Sequence, residues 1–215
     1  MITLHTIYNY PPMLKGNVRD LRAVWALEEL GLPFEFHWLD FAARQHRGEA
    51  ARRRSVFGRI PALEDGDTSM FESAAIVLYL YDRSGKGPKD AEARAQLNQW
   101  CFAALNTVEP VFFEMLRWDF FWTDRPGRAW RYPELLTLAR ERLGDLEGVL
   151  ARRDWLVGGA FGPADILMLT ALDFGRGTPE IFEDYPAVTA YRARGHARPA
   201  HARALALQGA GPAAA

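Results

Sequence analysis

Two short segments of this chain combine residue types that could bind a small acidic peptide. The first reads Arg59-Ile60-Pro61 ahead of a strand-like run. A proline there cannot donate to a strand ladder, so the main chain of Ile60 is open to pairing with an extended peptide. The second places Glu72 and Ser73 before an apolar helix, whose free N–H groups and positive dipole end attract carboxylates. Together they predict a peptide-pairing edge beside an anion pocket.

A hairpin and the helix after it must hold these residues. The runs Ala62–Glu64 and Thr68–Phe71 have strand character, and Asp65-Gly66 between them is a strong hairpin signal. We expect Pro61 on an open strand edge or at the first residue of a strand. A helix should follow from Ser73 to Asp82.

The glutathione-binding signature of the glutathione transferase family is similar to two runs here, Ile60-Pro61-Ala62-Leu63-Glu64 and Phe71-Glu72-Ser73-Ala74-Ala75-Ile76. In that family the proline is cis and the Glu-Ser pair binds the γ-glutamyl end of glutathione. A second resemblance is to the first helix of the family, over residues 18–31. A third is to the capping box of its helical domain at Gly162-Pro163-Ala164-Asp165, although the usual Ser or Thr cap is a glycine here.

The resemblance implies a role for each binding residue. Ile60 would pair its main chain with the cysteinyl part of glutathione, Glu72 would meet the free amino group, and Ser73 would bind the γ-glutamyl carboxylate. Arg59 is the nearest candidate for the glycyl carboxylate, with Gln45 and Arg47 as further candidates. The alternative for Glu72 and Ser73 is a plain helix cap with an acidic first turn. The run Arg52-Arg53-Arg54 is read as a solvated face.

The chemistry implied is stabilisation of the glutathione thiolate, which is the nucleophile. In the family a Ser, Tyr or Cys near the start of the first helix contacts the sulfur, but residues 9–17 contain none of Ser, Thr and Cys. Three candidates remain: Asn17 can donate an amide N–H, Arg19 offers a positive charge, and Tyr8 carries a phenol at the end of the first strand. Each candidate has an alternative: Asn17 could be a helix cap, Arg19 a solvated first-turn residue, and Tyr8 a half-buried strand aromatic.

An electrophile pocket should be apolar and aromatic. The run from Phe112 to Trp122 is unusually aromatic, and we expect Phe112, Phe113, Met115 and Trp118 to line that pocket. Core packing and a subunit interface are the alternatives for these side chains.

Strand and helix signals alternate over the first eighty residues and then give way to helix signals alone. The predicted elements of the first part are strand Ile2–Tyr8, helix Val18–Leu30, strand Pro33–Leu39, helix Ala42–Arg54, the hairpin and the helix from Ser73. This order indicates an α/β thioredoxin-like domain over residues 1–83. After a Gly- and Lys-rich linker, residues 91–208 should form an all-α domain, and the tail from Gly209 to Ala215 should fray.

Composition indicates which binding partners and which cellular compartment to expect for this protein. The formal net charge is −1, which gives no reason to expect a nucleic-acid or anionic-membrane partner. No apolar run approaches the ~20 residues of a membrane span, and the N-terminus lacks a signal pattern. The one cysteine, Cys101, is expected in the core and suits a reducing cytoplasm. The five histidines lack metal-ligand spacing, so we expect no metal.

The sequence therefore predicts a glutathione transferase, which conjugates the thiolate of its cosubstrate glutathione to a small electrophile, and the family resemblance implies a homodimer. Two alternatives stay open. One is a non-catalytic member that binds glutathione or a protein. The other is a glutathione-dependent reductase or peroxidase, although these usually carry a cysteine in the loop.

Overall fold

The structure is a computed structural model and describes residues 1–212. The chain forms two compact units. The first contains Met1–Gly87 together with the segment from Arg198 onward, and the second contains Pro88–Ala197.

The first unit is a four-stranded mixed sheet with helices. Its elements are β1 (Ile2–Tyr8), α1 (Asp20–Leu30), β2 (Phe34–Asp40), α2 (Glu49–Arg54), β3 (Ala62–Asp65), β4 (Thr68–Phe71) and α3 (Ser73–Arg83). The strand order is β2-β1-β3-β4, with β1 parallel to β2 and β3 antiparallel to both of its neighbours. The thioredoxin-like fold class expected from the sequence is confirmed.

Local sequence explains these elements and two departures from prediction. Gly31 ends α1 in the left-handed conformation, at φ 64°. The predicted helix Ala42–Arg54 is instead a 3-10 turn at Gln45–Arg47 followed by α2, because Gly48 between them is extended. The hairpin turn is Gly66-Asp67 rather than Asp65-Gly66, since Asp65 pairs with Thr68.

The second unit is helical. Its elements are α4 (Ala91–Phe102), α5 (Glu109–Phe120), α6 (Arg128–Leu150), α7 (Pro163–Leu172) and α8 (Pro186–His196). A π-helical turn, Ala103–Val108, joins α4 to α5. Pro110 has no N–H for the carbonyl four residues earlier, and the widened turn accommodates this loss.

The N-terminus of α7 has the capping hydrogen bond expected from the sequence. The Gly162 N–H donates to Asp165 Oδ2 at 2.9 Å, as the capping box requires of its acidic member. The other carboxylate oxygen accepts from the Leu156 N–H at 2.9 Å and the Tyr191 hydroxyl at 3.0 Å. Asp165 therefore ties three segments of the helical unit together.

A ninth helix, α9 (Pro199–Leu207), belongs to the first unit, whereas the sequence assigned residues 91–208 to one helical domain. It packs on α1. Arg203 Nε donates to Glu28 Oε2 at 2.6 Å, and Arg198 Nε donates to Glu29 Oε2 at 3.0 Å. These pairs join residues about 170 positions apart, which local patterns cannot reveal.

Candidate functional site

The main chain of Ile60 lies just outside the sheet ladder. The Ile60–Pro61 bond is cis, and β3 begins immediately after it. β3 is an interior strand, so of the two positions expected for Pro61 the structure selects the strand start rather than the open edge. The ladder begins at Ala62, which pairs with His5 on one side and Phe71 on the other.

That register brings the two predicted segments together. Because Ala62 pairs with Phe71, Ile60 and Pro61 leave the hairpin at the same end as Glu72 and Ser73. The carboxyl end of β1 reaches the same end of the sheet, since β1 runs antiparallel to β3.

Glu72 has an unusual backbone. Its φ of 73° and ψ of 114° place a non-glycine residue in a sparsely populated region, immediately before α3. Its side chain is exposed, and its carbonyl accepts the Ile76 N–H at 3.0 Å. Conformations of this kind cost on the order of 1–3 kcal/mol and cluster at binding sites.

Ser73 is the first residue of α3 and is buried. Its hydroxyl oxygen accepts a hydrogen bond of 3.1 Å from Arg22 Nη1 on α1. Arg22 is only 1% exposed, so a buried cation stands behind a helix N-terminus. Both features favour a bound carboxylate in front of Ser73. Arg22 was not singled out from the sequence, where the available signal was a lone arginine inside an otherwise apolar helix run.

Arg59 is exposed, and its backbone N–H donates to Ser55 Oγ at 3.1 Å. It borders a cavity of about 390 Å³ in the first unit. The other lining side chains include His5, His37, Leu39, Arg54 and Ile60. This volume falls in the range of small-molecule sites. Arg59 therefore has both the charge and the access that the glycyl carboxylate would need.

Two of the residues that line the cavity, His5 and Arg54, bind the same carboxylate. Glu64 accepts from His5 Nε2 at 2.7 Å and from Arg54 Nε at 2.9 Å. Burial works to raise the pKa of Glu64, but these two hydrogen bonds outweigh it and hold that pKa below its usual range. For His5, burial lowers the pKa, and the hydrogen bond to Glu64 only partly offsets this effect. Arg54 is thus engaged with the sheet, which departs from the expected solvated arginine face.

Gln45, a further candidate for the glycyl carboxylate, already uses its side-chain oxygen to accept the Asp40 N–H at 2.8 Å. This contact fixes the 3-10 turn to the end of β2. The amide nitrogen of Gln45 is then the group that could meet an anion.

The three candidates for contact with the thiol all lie near the carboxyl end of β1 and the start of α1. Tyr8 ends β1, where it pairs in register with Asp40 of β2. Asn17 and Arg19 are half-buried and precede α1. The N-cap position of α1 is Arg19, whose side chain makes no capping hydrogen bond.

Asp20, the first residue of α1, is fully buried and was not singled out from the sequence. Its carboxylate accepts from the Thr6 hydroxyl and, at 2.6 Å, from Gln208 Nε2. Burial raises the pKa of Asp20 to about 6, against the opposing effect of these hydrogen bonds. A carboxylate is therefore built into the base of the loop that carries Asn17 and Arg19.

Three of the four residues predicted to line the electrophile pocket are core residues of the helical unit. Phe112 and Met115 are fully buried and Trp118 is 5% exposed, which corrects that expectation. The Phe112 ring stacks on Phe182 at 6.0 Å, and Trp118 packs edge-on against Trp122. Their face of α5 is the inner one. Phe113 alone of the four is partly exposed.

Cys101 is 1% exposed, which confirms its expected place in the core. Burial, followed by the charge of Asp165, raises the pKa of its thiol to about 12. A thiol held neutral at physiological pH is a poor nucleophile.

Within residues 1–212, no three His, Cys, Asp or Glu side chains cluster so that they could hold a metal ion. No helix in that range combines the length and the hydropathy required to cross a bilayer.

Two family models match the chain. Residues 8–82 match the N-terminal domain of glutathione S-transferase, and residues 75–199 match its C-terminal domain. The chain is 28% identical over 208 residues to a probable glutathione S-transferase of Oryza sativa subsp. japonica, covering 92% of this chain and 95% of that protein. It is also 28% identical to glutathione S-transferase 1 of Triticum aestivum, with 88% of each chain covered.

Solved structures give the same assignment. A glutathione transferase family member from Pseudomonas fluorescens, solved with two glutathione molecules bound, superposes with a TM-score of 0.83 at 25% identity, covering 95% of this chain and 92% of that one. A glutathione transferase from Burkholderia graminis, with two glutathione molecules bound per subunit, gives 0.82 at 25% identity, with coverage of 98% and 89%. The second family model alone spans more than half of the residues. The chain belongs to the glutathione transferase family.

Proposed function

We propose that this protein is a glutathione transferase that binds glutathione on its first unit and conjugates the thiolate to a small electrophile. The observation that carries the proposal is the convergence of Ile60 with Glu72 and Ser73 at one end of the hairpin, in front of the buried Arg22. The similar bacterial proteins with glutathione bound support the same cosubstrate.

Each residue has a role that its position supports. The main chain of Ile60 would pair with the cysteinyl part of glutathione, beside the start of β3. Glu72 would accept from the free amino group, and the Ser73 hydroxyl would donate to the γ-glutamyl carboxylate, since its oxygen already accepts from Arg22. Arg59, at the rim of the cavity, would meet the glycyl carboxylate.

Activation of the thiol would fall to Asn17 or Arg19, with Tyr8 as a third candidate. A free thiol has a pKa near 8.5, so only a few per cent is ionised at neutral pH. An amide donor or a guanidinium held near the sulfur would favour the thiolate. Asn17 and Arg19 lie directly before α1, whose positive N-terminal end also favours a thiolate, so we prefer them over Tyr8. Of the expected pocket residues, Phe113 retains the exposure that contact with an electrophile requires.

A non-catalytic glutathione-binding protein is the second candidate function. The loop without Ser, Thr or Cys favours it, because the usual thiol contact is missing there. The reductase or peroxidase reading is disfavoured by the buried thiol of Cys101. Family membership also suggests a cytoplasmic homodimer that acts in detoxification, and light scattering of the purified protein tests the dimer.

Steady-state conjugation of glutathione to chlorodinitrobenzene tests the transferase. We expect turnover by the wild type and a loss of about tenfold or more in kcat/KM for Ser73→Ala. Ser69→Ala, an exposed serine on β4, is the matched control and should match the wild type. Glutathione binding without turnover would support the non-catalytic reading instead.

A further inference from the structure

Gln208 is a buried polar residue immediately after α9, with 1% of its surface exposed. α9 fixes its position, because the helix is tied to α1 by the ion pairs of Arg198 and Arg203 and by packing of His201 against Trp25 at 4.5 Å. A long side chain in so confined a place has little rotamer freedom left. Gln208 is thus held as firmly as the helix before it.

The side-chain amide of Gln208 makes three hydrogen bonds, all to one loop. Its oxygen accepts the Gly16 N–H at 2.8 Å, and its nitrogen donates to the Val18 carbonyl at 3.0 Å and to Asp20 Oδ1 at 2.6 Å. The contacted residues are 16, 18 and 20, and the two favoured thiol contacts, Asn17 and Arg19, alternate with them. One amide thereby bridges the residues on either side of both candidates.

The chain after Gln208 crosses the same loop. We define the C-terminal strap as residues 208–211. Gly209 has a φ of +71°, and a side chain there would collide with the Tyr10 hydroxyl. Gly211 has a φ of +77°, and a Cβ there would lie 3.1 Å from the Tyr8 ring. The two glycines let the strap lie close against Tyr8 and Tyr10, so these tail residues are packed. The fraying expected from Gly209 onward therefore does not apply to Gly209 and Gly211, and residues 213–215 of that tail lie outside the described range.

We propose that Gln208 is a positioning residue for thiol activation, acting through the loop of residues 16–20. This inference rests on the proposed function. A donor or a charge that lowers the pKa of a bound thiol must be held to within about 0.5 Å, and its supporting contacts provide that precision. Loss of the amide would leave the Gly16 N–H, the Val18 carbonyl and the Asp20 carboxylate each without one partner.

Two variants separate positioning from general stability. Gln208→Met keeps the length and volume of the side chain but removes its three hydrogen bonds. Arg203→Met removes only the exposed ion pair with Glu28; the Arg198–Glu29 pair and the packing of His201 on Trp25 still hold α9, so the Gln208 contacts stay in place. The readouts are the pKa of bound glutathione from thiolate ultraviolet absorbance, the affinity for S-methylglutathione, and amide hydrogen exchange of residues 16–20.

For Gln208→Met we expect faster exchange of residues 16–20 and a rise of about one unit in the thiol pKa, which is about a tenfold loss of thiolate at fixed pH below that pKa. Affinity for S-methylglutathione should change less than about threefold, because the γ-glutamyl site is separate. Arg203→Met should leave the exchange and the thiol pKa at their wild-type values.

Three results would overturn the proposal: unchanged exchange in Gln208→Met, an unchanged thiol pKa despite faster exchange, or equal effects of the two variants. A wild type that binds S-methylglutathione but leaves the thiol pKa at its solution value would instead contradict the transferase function. In that case hydrogen exchange alone still decides whether Gln208 holds the loop.

Discussion

A guanidinium N–H of Arg22 donates a hydrogen bond of 3.1 Å to the hydroxyl oxygen of Ser73, and both side chains are buried. Arginine stays charged in proteins, so the positive end of α3 carries a full positive charge behind it. The bond also leaves the Ser73 hydroxyl proton free to donate outward. Helix dipole, cation and hydroxyl then all favour the same ligand, a carboxylate in front of α3.

Replacing Arg22 should weaken that site. Arg22→Met keeps an unbranched apolar side chain in the buried position but removes the charge and the donor to Ser73. We expect the dissociation constant for glutathione to rise about tenfold, equivalent to about 1.4 kcal/mol. Titration calorimetry gives the affinity. Arg83→Met, which removes a partly exposed arginine at the other end of α3, is the control and should bind as the wild type does. Equal affinities in all three proteins would exclude the Arg22 role.

The backbone of Glu72 predicts opposite effects on stability and binding. Glu72→Gly removes the strain of a positive φ on a non-glycine residue, for a net gain in unfolding free energy of about 1 kcal/mol after the entropic cost of glycine. The same change removes the carboxylate proposed to meet the amino group of glutathione, so affinity should fall about tenfold.

Arg44→Gly is the matched control, since Arg44 has a φ of 57°. It should gain stability without losing affinity. Chemical denaturation and calorimetry on both variants check the pair. A Glu72→Gly protein that binds glutathione like the wild type would show that the carboxylate is dispensable.

Asp20 should make stability depend on pH in a particular direction. Its pKa is raised to about 6 in the folded protein, so the native state binds the proton more tightly than the unfolded state does. Its contribution to stability is fully present below about pH 4 and is lost as the pH rises through about 6. A shift of about two pKa units corresponds to roughly 3 kcal/mol.

Asp20→Asn isolates this effect. The new amide can donate to Thr6 Oγ1 and accept from Gln208 Nε2, so the network keeps its partners. The wild type should lose stability relative to Asp20→Asn between about pH 4 and pH 6, as followed by urea denaturation at each pH. Because both proteins share all other carboxylates, the effects of those groups cancel in the difference between the two unfolding free energies. A difference that stays constant across this range would mean that Asp20 does not titrate there.

Replacing Cys101 distinguishes glutathione transfer from reductase or peroxidase chemistry. Cys101→Ala should keep conjugation activity within about twofold and cost about 1–2 kcal/mol of stability, because it removes one buried sulfur from the core. The folded wild type should also resist a thiol-specific disulfide reagent until denatured. Loss of a measured glutathione-dependent reduction in Cys101→Ala would instead make the thiol the reacting group.

The sequence pointed to the residues that we propose bind glutathione because their signal is local. Ile60, Pro61, Glu72 and Ser73 flank one hairpin, and the strand register alone places them together. Arg22 was missed because an arginine in a helix ordinarily indicates an exposed face, and only the packing of α1 reveals that it is buried. Its partner lies 51 residues away.

The contacts of the loop proposed to activate the thiol, and the buried position of the aromatic residues of α5, were harder to predict for a related reason. Gln208 contacts residues about 190 positions earlier and follows an alanine-rich helix, so no pattern indicates its role. The aromatic run of α5 was misassigned because an apolar side chain serves a core and a pocket equally well. Only the contacts of Phe112 with Phe182 show that it is a core residue.

Thiol activation is tested most directly by the ultraviolet thiolate absorbance of glutathione bound to the wild-type protein, measured against pH. We expect an apparent thiol pKa at least about one unit below that of free glutathione, with conjugation rising along the same curve. A bound thiol that titrates at its solution pKa would contradict the central claim that this chain activates glutathione.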